Sequence, residues 1–280
     1  MKKPLFFIII SGLLALTSTL GLATAGSADH LAAGDAAFAR FDDAKALTEY
    51  EKAATLEPSN FEALSKSALA SMNVGDRLIK ASDGSEAAKQ RYFRSAEQYA
   101  LKALALRPGD SRAHFLYAAA LGRQVNTLGR KAQIAAANKI KAELDKAIAL
   151  DPGNDLAWNA LGFWHRTLAE MSGSTRLLGG LFYGSIPKGS YDEAVKGFRK
   201  AIALNPSYSD HHLELAKTYL DLKKKPQAAA ELLAAVNCPA LTSQCAHFKN
   251  EAKQALDKLI ASGDVSGVLL ADRSASGEAR

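Results

Sequence analysis

The sequence predicts an all-α solenoid of about five stacked helix pairs. A phrase that begins with Lys-Ala and ends with Leu-x-Pro occurs four times, and it closes at Pro58, Pro108, Pro152 and Pro206. Each phrase is typical of a helix end, because Pro cannot continue a helix. Small or apolar residues also recur at fixed helical spacings before each Pro, which keeps one face of the helix apolar. Repeated units of this kind stack into solenoids.

The composition excludes several classes of protein. The 280 residues are 48% apolar and 23% charged with 2 Cys, which is unlike a collagen, a disulfide-dense mini-protein or a wholly disordered chain. The formal net charge is +6, and it falls to +4 without Lys2 and Lys3. The single basic run, Lys223–Lys225, is interpreted as the cationic end of a helix. We therefore expect no nucleic-acid partner.

Residues 1–25 predict a cleaved signal peptide. Lys2 and Lys3 precede an apolar run from Leu5 to Leu16, and Ala23-Thr24-Ala25 forms a small-residue cleavage site. The run ends after about twelve residues, whereas a membrane-spanning helix needs roughly 20. We expect a periplasmic or secreted protein that is not a lipoprotein and has no integral membrane segment after cleavage.

A second kind of helix follows each Pro, and it is clearest at Trp158-Asn159-Ala160-Leu161-Gly162. The pattern Trp-x-x-Leu-Gly, with Ala, a large apolar residue, Ala and Pro in the next helix, resembles the tetratricopeptide repeat, a helix-turn-helix unit of 34 residues. The resemblance implies close helix packing at the small positions of the first helices. Those positions are Gly34, Ala68, Ala118, Gly162 and Ala216.

The resemblance divides the chain into repeats of unequal length. The expected boundaries are 27–60, 61–110, 111–154, 155–208 and 209–242, followed by a capping helix at 245–261 and a flexible tail at 262–280. The four Pro residues lie 50, 44 and 54 positions apart, so repeats two to four exceed the family length. We place the surplus residues between the two helices of each unit, which brings them out on one side of the solenoid.

The surplus of repeat four is a Gly-rich apolar stretch, residues 173–189, that contains Leu181, Phe182 and Tyr183. We expect it to fold across a neighbouring helix or into the groove. Together with the segments Ile186–Ala194 and Phe198–Ala201, it resembles the regulator of microtubule dynamics family and its bacterial relatives, over residues 114–261. Similar loops occur in tetratricopeptide proteins that accompany TRAP-type solute transporters. Microtubule binding is not carried over to a chain that we expect to be exported.

Motifs for catalysis or metal binding are missing from the sequence. The six His form no His-Glu-x-x-His, and there is no Cys-x-x-Cys, Gly-x-Ser-x-Gly, Walker or dinucleotide pattern. His114 and His212 align with the Trp position of the repeat, and His165 with its aromatic position, which favours packing roles. We therefore predict a protein that is not an enzyme and has neither cofactor nor metal.

Cys238 and Cys245 flank the turn before the last predicted helix. In an oxidising compartment, a disulfide that closes this turn is expected.

In the tetratricopeptide superfamily, positions 2, 5, 9 and 12 of each first helix line a concave groove. Such a lining suits an extended peptide with apolar anchors and carboxylates, because Arg holds a carboxylate through two hydrogen bonds. The alternative is that the aromatic residues are buried by the inserts and the cations are only solvated. The transferred positions are Phe38, Phe115 and Phe163 as apolar sites, and Arg112, Asn159, Arg166 and Lys217 as polar ones.

The function predicted from these features is an interaction scaffold that holds a protein or peptide partner in the groove. The alternative is a periplasmic small-molecule carrier or transporter accessory protein, in which the Gly-rich loop covers an apolar pocket for a small apolar ligand. An enzyme ranks third, because it needs a cluster of titratable groups that the linear sequence does not display.

Overall fold

The computed structural model is an all-α solenoid, as the repeats predict. The structure describes residues 25–78 and 85–263. The predicted signal up to residue 24 and the predicted tail from residue 264 therefore lie outside the described residues. Within the described part the α-helices are α1 (Ser27–Phe38), α2 (Asp43–Leu56), α3 (Phe61–Arg77), α4 (Ser85–Leu106), α5 (Ser111–Gln124), α6 (Arg130–Leu150), α7 (Asp155–Ala169), α8 (Gly173–Tyr183), α9 (Tyr191–Leu204), α10 (Ser209–Asp221), α11 (Lys225–Asn237) and α12 (Cys245–Ala261).

The helices form five pairs and a cap. The pairs are α1 with α2, α3 with α4, α5 with α6, α7 with α9, and α10 with α11, and α12 packs on α11 and α10. The first helices of the pairs also contact one another in succession from α3 to α10. We call α1, α3, α5, α7 and α10 the inner helices. The cap buries Leu256 and Leu259 in the same apolar cluster as repeat five, so it covers the apolar face of that repeat.

Each Leu-x-Pro phrase is followed at once by the start of the next inner helix. Asn60, Asp110 and Asn154 stand two positions after their Pro residues, and each side chain accepts a hydrogen bond from a backbone N–H three residues on. Such N-caps satisfy donors that the first turn leaves free, and each contributes about 1 kcal/mol. The sequence thus ends one helix with Pro and begins the next with a cap.

Small residues let the paired helices approach closely. A Cβ on Gly34 would lie 2.4 Å from the ring of Tyr50, and one on Gly162 would lie 2.9 Å from the ring of Phe198. Ala68, Ala118 and Ala216, at the equivalent positions, are buried. The packing reason inferred for the small positions therefore holds in the structure.

The surplus residues take different forms in the three long repeats. In repeat two they lengthen α3 and α4, in repeat three they lengthen α6, and in repeat four they form the separate helix α8. Contacts between α8 and α6 place this helix against the neighbouring repeat. The guanidinium of Arg176 holds α8 in place. It donates hydrogen bonds to the carbonyl oxygen of Leu168, at 2.5 Å, and to those of Ile186 and Pro187.

Two apolar residues of α8 are exposed to solvent. Leu181 and Phe182 are 72% and 77% exposed, so they do not cover a pocket. The side chain of Tyr183 lies outside the described part. Of the two arrangements expected for this stretch, the contact of α8 with α6 agrees with folding across a neighbouring helix, and Leu181 and Phe182 do not enter the groove.

Cys238 and Cys245 are buried free thiols, and the expected disulfide is not formed in the structure. The two sulfur atoms have different partners. Cys245 Sγ accepts hydrogen bonds from the backbone N–H groups of Leu241 and Thr242, both at 3.3 Å, whereas Cys238 Sγ donates to the carbonyl of Pro206 at 3.8 Å. The turn is thus closed by hydrogen bonds to a thiol.

The residues at the Trp position of repeats three, four and five share one contact. His114, Trp158 and His212 each place a ring nitrogen 2.9 to 3.0 Å from the carbonyl oxygen of the Pro six positions earlier. The two His also pair through Nδ1 with a carboxylate of the second helix, Glu143 at 2.5 Å and Glu231 at 2.7 Å. These contacts fix the His side chains between helices, which agrees with the packing role inferred from the alignment.

Candidate functional site

The inner helices are joined by ion pairs along their inner faces. Each of these pairs connects one repeat to the next, so together they link the repeats along the concave side of the solenoid. The pairs are Lys66 with Asp35 at 2.6 Å, Arg112 with Glu62 at 2.6 Å, Arg123 with Asp76 at 2.7 Å, and Arg166 with Glu214 at 2.6 Å.

The cations predicted to hold a partner's carboxylate therefore already have carboxylates of this chain. Arg112 donates two hydrogen bonds to Glu62, and Lys217 pairs with Glu214 at 2.9 Å and with Glu251 at 2.8 Å. A carboxylate of a partner must therefore displace a carboxylate of this chain to bind these cations. Positions 2, 5, 9 and 12 describe one helix at a time, so they do not show which side chains of neighbouring helices pair with each other.

The inner face has an open part and a closed part. The open part lies in repeats one to three, where the side chains of Arg112 and Glu62 are 43% and 42% exposed. The closed part lies in repeats four and five, where Arg166 and Glu214 are 12% and 8% exposed. Burial strengthens electrostatic interactions, so the two parts differ in chemistry as well as in access.

The open part contains a cavity of about 320 Å³ between α3, α5 and the start of α7. This volume lies at the lower end of the range for small-molecule pockets, and it fits one or two large side chains. Its apolar walls are Leu69, Phe115 and Leu156, and its polar rim includes Lys66 and Arg112. Ser65 also lines the cavity, but its hydroxyl oxygen is buried and has no hydrogen-bond partner among the described residues. We call this cavity the groove site.

The groove site contains two of the seven predicted groove residues, Phe115 and Arg112. Phe38 instead packs against the apolar cluster of repeat one. Phe163 is 49% exposed, and the guanidinium of Arg166 lies 5.6 Å from its ring centroid. Asn159, Arg166 and Lys217 belong to the closed part.

The sequence analysis missed several residues that it had the means to find. The same helix positions, transferred to repeats two and four, give Glu62, Ser65, Leu69 and Leu156. Three of these line the groove site, and Glu62 pairs with Arg112 at its rim. Lys66 has no such signal, because it lies one position beyond the pattern.

The closed part is a buried cluster of charged groups, which we call the inner charge cluster. Asn159 donates to Asp210 at 2.8 Å, Arg166 pairs with Glu214 and lies 3.7 Å from Asp221, and Lys217 pairs with Glu214. Burial and the neighbouring carboxylate of Glu214 raise the pKa of Asp210 to about 7. The hydrogen bond from Asn159 and the charges of Lys217 and Arg123 act in the opposite direction but are outweighed.

The raised pKa of Asp210 predicts that this group lowers the stability of the protein as the pH rises from 5 to 7. In this window the native state keeps a proton on Asp210 that the unfolded chain has released, since an ordinary Asp has a pKa of about 3.9. The free energy of unfolding therefore falls with rising pH between the two pKa values. We expect Asp210→Asn to flatten this slope, measured as the urea midpoint at pH 5, 6, 7 and 8.

The matched control is Asp145→Asn, which removes an exposed carboxylate that pairs with Lys141 on the same helix. This variant should keep the wild-type slope. An Asp210→Asn protein with an unchanged slope would show that Asp210 titrates normally.

The described residues contain no group of three or more His, Cys, Asp or Glu side chains that could hold a metal ion. Over the same residues, no helix has the length and apolar character needed to cross a membrane.

Residues 27–260 match the protein family described as regulator of microtubule dynamics protein 1-3. The chain is 34% identical over 183 residues to regulator of microtubule dynamics protein 1 of Mus musculus, a match that covers 65% of this chain and 60% of the mouse protein. It is also 34% identical over 211 residues to the Bos taurus protein of that name, covering 75% of this chain and 64% of the relative. The chain thus spans about three fifths of the length of these relatives.

Among solved structures, a thermophilic tetratricopeptide protein of Thermus thermophilus, TTC0263, superposes with a TM-score of 0.59 at 17% identity, over 82% of this chain and all of that one. This likeness shows the shared fold. Both resemblances drawn from the repeats and from the insert of repeat four are therefore confirmed.

Proposed function

This chain belongs to the regulator of microtubule dynamics protein 1-3 family, and on that premise we propose that it is a non-enzymatic scaffold that binds a segment of a partner protein on its inner helices. The observation that carries the proposal is the groove site, an accessible cavity with apolar walls and a polar rim. Surfaces of this composition hold a peptide by an apolar anchor and use polar groups for orientation.

The anchor of the partner is proposed to be one large apolar side chain that contacts Phe115, Leu69 and Leu156. Ion pairs at exposed positions contribute only about 0 to 1 kcal/mol. Arg112 can therefore exchange Glu62 for a carboxylate of the partner at little cost, which sets the orientation of the bound segment and adds little affinity.

The proposal concerns the groove alone. The relatives are named for microtubule dynamics, and the surface we propose to be shared with them is the peptide-binding face of the solenoid. Export of this chain is a separate proposal, supported by the pattern of residues 1–25.

We expect Phe115→Ala to weaken peptide binding at least tenfold. Peptides are first selected from a random display library on the whole protein, and their dissociation constants are then measured by fluorescence anisotropy. Loss of a central apolar anchor contact costs 2 kcal/mol or more in many interfaces, and each 1.4 kcal/mol is a factor of ten. Leu156→Glu, on the opposite wall of the cavity, should have a similar effect.

Leu181→Ala serves as the control, because it removes an equally apolar but highly exposed side chain from α8. Its affinity should equal that of the wild type. Equal affinities of Phe115→Ala, Leu156→Glu and the wild type would place the binding surface elsewhere.

A further inference from the structure

The turn between α11 and α12 reaches back to the first two repeats. Ser243 Oγ donates a hydrogen bond to the carboxylate of Asp43, and Gln244 Nε2 donates to the backbone oxygen of Asn73 at 3.3 Å. These contacts join residues that lie 200 and 171 positions apart. They connect the C-terminal end of the solenoid to its N-terminal end.

The carboxylate at this junction is almost completely buried. Asp43 is 1% exposed, accepts a second hydrogen bond from Asn73 Nδ2 at 3.1 Å, and lies 3.6 Å from a guanidinium nitrogen of Arg77. Asn73 is therefore central, because its side chain binds Asp43 while its backbone oxygen binds Gln244. Hydrogen bonds to a charged acceptor are stronger than neutral ones, and burial strengthens them further.

The turn itself is held in shape by local contacts. The backbone N–H groups of Leu241 and Thr242 donate to Cys245 Sγ, and Lys249 Nζ donates to the carbonyl of Cys238 at 2.7 Å. Ser243 and Gln244 are thus presented by a fixed backbone, which reduces the entropy lost when they bind.

The junction continues the same face of α3 that lines the groove site. Leu69 lines the cavity, and Asn73 follows it by four positions, which is one turn on the same side of the helix. On α5, Phe115 lines the cavity, and Arg123 follows two turns later, where its charge acts on Asp210 and Tyr208 of repeat five. The turn of repeat five therefore contacts the C-terminal half of α3, and repeat five lies near the C-terminal half of α5, whereas the groove site lies one turn or more away from these contacts.

We propose that the turn Leu241–Gln244 is an intramolecular latch, which occupies the inner surface next to the groove site and is displaced when a longer partner segment binds. The contacts that it leaves define the partner chemistry. A partner that replaces the turn must offer a hydroxyl or amide donor to the carboxylate of Asp43. Its next residue must offer a second donor to the backbone oxygen of Asn73. A partner segment with Ser or Thr followed by Asn or Gln meets both requirements. The displacement step rests on the proposed function of the groove, whereas the latch rests on the contacts alone.

The latch is tested with Ser243→Ala, which removes the donor to Asp43. Thr55→Ala is the matched control, because the Thr55 hydroxyl bonds only within its own helix, to Glu51 O at 2.8 Å. Hydrogen exchange followed by mass spectrometry should show about tenfold faster exchange over residues 239–246 in Ser243→Ala. Small-angle X-ray scattering should show a larger radius of gyration. The control should match the wild type in both measurements.

Peptide affinity is the second measurement, made with peptides selected on the wild-type protein that are long enough to extend from the groove site to Asn73. An equilibrium with a closed state weakens apparent binding in proportion to the open fraction. Ser243→Ala should therefore bind those peptides several-fold more tightly than wild type.

Three results would count against parts of this account. Unchanged exchange and scattering in Ser243→Ala would overturn the latch. Faster exchange with unchanged peptide affinity would overturn its displacement by a partner. Faster exchange, with no peptide bound by any variant, would support the latch and overturn the proposed function of the groove.

Discussion

We expect Arg166→Met to lower the free energy of unfolding by about 3 to 5 kcal/mol. Arg166 is 12% exposed and pairs with Glu214, which is 8% exposed, while Asp221 lies 3.7 Å away. Met keeps much of the volume of the side chain but leaves these carboxylates without their main cation. Removing one member of a buried ion pair costs about this much. Because Lys217 still pairs with Glu214 at 2.9 Å, we expect a loss at the lower end of this range. Urea denaturation followed by far-UV circular dichroism measures the change.

Arg112→Met is the control within the same chain. This residue also pairs with a carboxylate of the neighbouring inner helix, at the same distance of 2.6 Å, but both side chains are more than 40% exposed. Exposed pairs contribute about 0 to 1 kcal/mol, so the loss of stability should stay below 1 kcal/mol. Equal effects of the two substitutions would show that burial does not distinguish the closed part of the inner face from the open part.

The second large effect is expected for Gly189→Ala, which should destabilise the protein by about 3 kcal/mol. A Cβ at this position would lie 2.2 Å from the carbonyl oxygen of His165 and 2.5 Å from the backbone nitrogen of Ala169. Both are backbone atoms of α7, so no side chain can rotate away to make room. Overpacking of this kind typically costs 1 to 3 kcal/mol, and the clash with backbone places this case at the upper end. The thermal unfolding midpoint should fall accordingly.

Gly180→Ala is the matched control for that substitution. It lies within α8, and no atom lies within 4 Å of the position of an added Cβ. Because Ala is a better helix former than Gly by about 1 kcal/mol, this variant should be as stable as the wild type or slightly more stable. A stable Gly189→Ala protein would show that the end of the insert is not held against α7.

Helix pairing was predictable because its signals are local. The Leu-x-Pro phrases, the N-caps Asn60, Asp110 and Asn154, and the small residues at Gly34 and Gly162 each act within one repeat or between its two helices. Contacts between positions close in sequence follow from helix periodicity, so the repeat pattern was enough to predict the fold class.

The groove site was predictable only in part. The helix positions taken from the superfamily led to Phe115 and Arg112, and the same positions in repeats two and four would have led to Ser65, Leu69 and Leu156. The pattern could not show that Arg112 is neutralised by Glu62, 50 residues earlier, because that pairing depends on how one repeat is rotated on the next.

The tertiary structure alone decided which part of the inner face is open. Small rotations between successive repeats accumulate along a solenoid, and their sum brings Ser243 to Asp43 across 200 residues. No single repeat carries that information, so neither the buried charges around Arg166 nor the contact of the closing turn with α3 could be predicted. The sequence therefore determined the helices, their pairing and the small residues between them, because these depend on neighbouring segments. The open groove, the inner charge cluster and the closing turn depend on the stacking of all five repeats.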